Sequence, residues 1–134
     1  MREAKKHFLD IFRIELDDLE EDINDLIERC HENYQHGVLT ERVHMENVTL
    51  FQNELSGIRS FRKTVERTRY DGFDVLDDLI DFLVSTFRRE ARIKDIAPAL
   101  LVCIDRKLNK VKKYVTQTPP VSGNCRKVQG IIRS

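Results

Sequence analysis

The stretch AKKHFLDIFRIELDDLEEDINDLIERCHENY, residues 4–34, decides the fold. Leu9, Phe12, Leu16, Leu19, Ile23, Leu26 and Cys30 recur in it at spacings of three and four. This is a heptad seam with every a and d position apolar as far as Cys30. Asp17, Asp18, Glu21, Asp25, Glu28 and Glu32 lie on the opposite side. A helix with one apolar stripe and an acidic back must press that stripe on other helices. At the usual rise it should run for about 45 Å. His36-Gly37 should end it, because glycine takes the left-handed C′ conformation at little cost, and Val38 should supply the apolar contact of a Schellman cap.

Three more amphipathic segments follow. Thr40 is a suitable N-cap for the second, with Leu39 as its staple. Its apolar set is Val43, Val48, Phe51, Leu55, Ile58 and Val65, and Arg62 is the one charged residue on the heptad register. Gly57 sits mid-helix at a cost of about 1 kcal/mol relative to alanine, which points to a close helix–helix approach there. Tyr70-Asp71-Gly72 should break this helix, and Asp74 should cap the third. The third buries Leu76, Leu79, Ile80, Leu83, Val84 and Phe87. Its first turn is acidic (Asp77, Asp78) and its last turns are basic (Arg88, Arg89, Arg92, Lys94), the signs that the helix dipole prefers. Pro98 opens the fourth, whose seam is Leu101, Ile104, Leu108, Val111 and Val115.

The expected fold is therefore all-α: a four-helix up-down-up-down bundle built on a long antiparallel helical hairpin. The expected helices cover about 4–36, 41–69, 74–94 and 98–116, all within one bundle domain, residues 1–116. Residues 117–134 should form a mobile basic tail, given their Pro, Ser, Gly, Asn, Lys and Arg content. At 134 residues the chain can bury roughly two thirds of its unfolded surface without covalent staples.

The composition bears on location. Three distant cysteines with no Cys-x-x-Cys argue for a reducing compartment rather than a disulfide scaffold. The longest apolar run, Ile96 to Ile104, contains a proline and is about half the length of a membrane span. A cytoplasmic protein is expected. Net charge is zero, but residues 1–36 carry 11 acids and 5 bases, whereas residues 88–134 carry 3 acids and 12 bases. In a bundle the basic fourth helix would neighbour the acidic first, so much of this asymmetry should be satisfied inside the molecule.

Three functional readings follow. The first two helices are longer than the last two, so the far end of the hairpin should stay uncovered and expose Ile27, Tyr34, Val43 and Met45. An apolar patch of that kind marks an interaction surface. The leading expectation is a non-catalytic module, acting as a homodimer or as an adaptor on a larger assembly. The second reading takes Arg106, Lys107, Lys110, Lys113, Arg126 and Lys127 as an anion-binding face for nucleic acid. The third rests on two Glu-x-x-His triplets, Glu28 with His31 and Glu41 with His44, the pattern by which carboxylate-bridged metal bundles hold their ions. Against it, Glu28 falls on the outer face, and the last two helices offer no matching buried glutamate. Asp74, Asp77, Asp78 and Asp81 lack the loop pattern of a calcium site and read as a solvated face. No phosphate loop, catalytic triad or zinc spacing occurs, so neither enzymatic activity nor a cofactor is expected.

Overall fold

The computed structural model describes residues 2–117, with side chains from Ala4 onward. Four helices follow one another: α1 (Arg2–Gln35), α2 (Glu41–Arg67), α3 (Leu76–Lys94) and α4 (Pro98–Gln117). A 3₁₀ turn at Tyr70–Gly72 separates α2 from α3. Helix α1 packs on α2 and α4, and α3 packs on α2 and α4, so the four close an up-down-up-down bundle. The expected basic tail, with Arg126, Lys127 and Cys125, lies outside the described residues.

The core is aromatic at its centre. Phe12 of α1, Phe61 of α2 and Phe87 of α3 are all at most 1 % exposed. Their ring centroids lie 6.0 Å apart for Phe12 and Phe87 and 4.6 Å apart for Phe61 and Phe87. Each such buried ring contributes about 1.5–3 kcal/mol. Leu16, Ile58, Leu79, Leu83, Ile104 and Leu108 fill the space between them.

Most of the local signals act as expected. The Gly37 φ of +76° ends α1. The Val38 N–H bonds the Asn33 carbonyl at 2.8 Å and the Gly37 N–H bonds the Tyr34 carbonyl at 3.1 Å, the Schellman pair. Thr40 Oγ1 accepts from the Val43 N–H at 3.2 Å and caps α2. Gly57 is the close approach that its position implied. A Cβ there would stand 2.8 Å from Leu100 Cδ2 and 3.0 Å from Ile96 Cγ2.

Several expectations are corrected. Asp74 does not cap α3: the N-cap is Val75, with no side-chain bond, because the 3₁₀ turn delays the helix start. Val38 makes no burying contact and is exposed. In the first turn of α4 it is Leu100, not Leu101, that is buried in the core. In α1 the seam departs from the heptad between Ile23 and Cys30, both of which are buried: Ile27 packs inward and Leu26 is exposed. A straight helix turns every 3.6 residues, so a strict 3.5 pattern slips by one position along its length.

One turn owes nothing to glycine. Asp95 ends α3 at φ 53°, in the left-handed region. Asn53 of α2 clamps this corner. Its Nδ2 donates to the Asp95 carbonyl and its Oδ1 accepts from the Ala97 N–H, both at 3.2 Å. Ile96 then drops into the core over Gly57.

Candidate functional site

The two long helices outrun their partners. Helix α1 has 34 residues and α2 has 27, against 19 and 20 for α3 and α4. The α3–α4 corner meets α2 at Asn53. Beyond that level α2 has no buried residue, and Cys30 is the one buried residue of α1 after Ile23. This two-helix tip holds most of the sequence candidates.

Its root is fixed by charge. Arg62, the one charged heptad position of α2, reaches Asp17 Oδ1 at 3.1 Å and also bonds Glu20, while Arg59 Nε donates to Glu20 Oε2 at 3.0 Å. Burial alone would push the Glu20 carboxyl up, but the hydrogen bonds from Arg62 and Arg59 outweigh it and hold that carboxyl below its ordinary range. The same bond to Glu20 raises Arg62. These ion pairs join α1 to α2 at the base of the hairpin.

At the far end the two helices meet through rings. His31 Nδ1 and His44 Nε2 are 2.7 Å apart. Tyr34 stacks on His44, with centroids 4.5 Å apart and planes 7° from parallel. Counting back from the His31–His44 level places Leu26 opposite residues 49–50 of α2. Val43, Met45 and Leu50 are exposed, with Met45 at 59 % and Leu50 at 47 %. Val43 and Leu50 are one heptad apart and share a face of α2. Of the four residues expected on an uncovered tip, Tyr34, Val43 and Met45 are exposed there, and Ile27 is turned against the core.

The two histidines are the metal candidates that the fold brings together. Glu28 and Glu41 make no hydrogen bond or ion pair with either ring, and no group of three or more suitable ligands occurs among the described residues. Two nitrogens on one tetrahedral zinc ion would stand about 3.3 Å apart, given bonds of about 2.0–2.1 Å. The 2.7 Å separation is that of a hydrogen bond between the rings, with the donor set by the tautomer.

The basic face of α4 is partly engaged within the molecule. Lys107 Nζ donates to Glu15 Oε1 at 2.9 Å, and Lys112 Nζ lies 3.0 Å from Asp77 Oδ1. Glu15 is 1 % exposed on a helix whose acids otherwise read as solvated. Its position beside Leu16 on the heptad seam, where a flanking helix can cover it, was the available signal. Arg106 and Lys113 are exposed.

The chain matches no family model, no curated protein and no solved structure. No helix among the described residues is long and apolar enough to cross a membrane.

Proposed function

We propose that the protein is a non-catalytic helical interaction module that works through the exposed end of the α1/α2 hairpin, as a homodimer or as an adaptor on a larger assembly. The observation that carries this reading is the bare tip: Leu26, Tyr34, Val43, Met45 and Leu50 are exposed where α3 and α4 have already ended. Apolar side chains gathered on a projecting element lose water favourably when a partner covers them. The Schellman cap, the Thr40 cap and the ring cluster hold that tip in one shape, so a partner need not order it on binding.

Sedimentation velocity at two protein concentrations tests self-association, with the double variant Val43→Glu/Leu50→Glu beside the parent. Both positions are exposed, so the charges should leave the fold intact. A concentration-dependent dimer that the variant abolishes supports the reading as a homodimer. A monomer at every concentration removes the homodimer, and the adaptor role then depends on a host partner that binds the parent and not the variant.

A second reading keeps His31 and His44 as a two-ligand metal site, supported by the meeting of their rings across the hairpin. It requires the rings to part and other donors to complete the shell. Metal analysis of untagged protein tests it, and substoichiometric metal ends it.

A further inference from the structure

A cleft of about 700 Å³ opens on the flank of the bundle where α3 ends, between the middle of α1 and the second half of α2. Its size falls within the range of small-molecule sites. Its lining contains Arg59, Lys63 and Lys94 and no carboxylate. This composition runs against its surroundings, because α1 is the most acidic element of the chain.

The three cations are held differently. Lys94 Nζ donates to Ser60 Oγ at 2.8 Å, and Ser60 Oγ in turn donates to Glu90 Oε2 at 3.2 Å. This fixes the ammonium at the cleft wall and leaves two of its three donors for another acceptor. Arg59 is tied to Glu20 through Nε, which orients the guanidinium and leaves its terminal nitrogens without a hydrogen-bond partner among the described residues. Lys63 makes no ion pair among the described residues. Ser56 and Asn24 add neutral donors, and Ile27 and Leu55 add an aliphatic wall.

We propose that this cleft binds a small molecule bearing a phosphate group. Arg59 is paired with Glu20, whereas Lys63 and Lys94 make no ion pair among the described residues, so two unpaired cations face the cleft and match a dianion rather than a single carboxylate. Several donors converging from two helices and a helix end suit the many acceptor directions of a phosphate. The aliphatic wall would cover the carbon part of an ester, and the lining has no aromatic ring on which a base could stack. The cleft is separate from the hairpin tip, and this inference does not rest on the interaction reading.

The test is an amide-resolved NMR titration of the full chain with glycerol 2-phosphate, with succinate as a dicarboxylate comparator. The expected result is a saturable shift of resonances near Asn24, Ser56–Lys63 and Lys94, weakened by added salt. Lys63→Gln/Lys94→Gln should weaken binding by roughly tenfold or more, as expected when charge-assisted bonds are lost, while Lys113→Gln on α4 should leave it unchanged. Lys63→Gln alone, at an exposed position, should give a smaller loss and guards against a folding defect in the double variant. The proposal is overturned by an absence of saturation, by equal affinity for succinate, or by shifts that map to α4 and respond to Lys113→Gln.

Discussion

Lys107 Nζ of α4 lies 2.9 Å from Glu15 Oε1 of α1, and the Glu15 carboxylate is buried at 1 % exposure with Oε2 unpartnered among the described residues. Breaking such a pair leaves an uncompensated charge in the core. Lys107→Met should therefore destabilise the bundle by about 2–3 kcal/mol, somewhat below the usual loss for a buried pair, because the lysine is 21 % exposed. Glu15→Leu/Lys107→Met should recover most of that loss, since an apolar pair of similar volume avoids the desolvation cost. Urea unfolding of the three proteins measures both steps, and a double variant as weak as the single one would contradict this account.

Gly57 is the second test of packing. Gly57→Ala gains about 1 kcal/mol of helix propensity, but its Cβ would stand 2.8 Å from Leu100 Cδ2 and 3.0 Å from Ile96 Cγ2, on side chains at most 6 % exposed. Overpacking of this kind costs about 1–3 kcal/mol, so a net loss of about 1 kcal/mol is expected. A gain in thermal stability would show that the α3–α4 corner can move.

The Asn53 clamp predicts a pair of opposite effects. Asn53→Ala removes two hydrogen bonds that hold the α3–α4 corner and should cost about 1–3 kcal/mol. Asp95→Gly relieves a left-handed non-glycine residue and should stabilise by about 1 kcal/mol, because the bonds at this corner use the backbone of Asp95 and not its side chain. Chemical denaturation of each variant checks the two signs.

Glu20 sets a pH dependence. Its folded-state value lies below the ordinary 4.5, so the unfolded chain takes up the proton first on acidification. The stabilisation is complete above 4.5 and is lost as pH falls through the folded value. Glu20→Gln should be less stable at neutral pH and should show a flatter acid limb when melting temperature is followed down to roughly pH 3.

Glu54 behaves in the opposite sense. Burial pushes its carboxyl above 4.5, so its contribution is most favourable below 4.5 and is lost as pH rises through the folded value. Glu54→Gln should raise the melting temperature at neutral pH and change little in acid. A destabilised Glu54→Gln at neutral pH would refute the burial penalty.

The local punctuation of the chain was legible because each device is local. Gly37, Thr40 and Pro98 act within their own turn or helix end, and the structure places each where its chemistry requires; Gly57 announced a close approach by its cost to the helix, but not that Ile96 and Leu100 make it. Asp95 was not legible, since its left-handed turn is imposed by Asn53 from 42 residues away. The uncovered tip could be inferred from helix lengths, but the exchange of Leu26 for Ile27 could not, because it depends on the drift of a straight helix against a heptad pattern.

The sequence by itself determined four amphipathic helices, their order and their turns, because 3.6-residue periodicity and capping are properties of consecutive residues. It also determined the charge asymmetry between the first and last thirds. Only the tertiary structure decided which charges face one another: Glu15 with Lys107, Glu20 with Arg59 and Arg62, and Asp77 with Lys112. Those pairs join residues that are distant in sequence, and helix packing alone brings them within reach. The cleft of Arg59, Lys63 and Lys94 belongs to the same class, since its third cation arrives from the end of α3 and no spacing along α2 announces it.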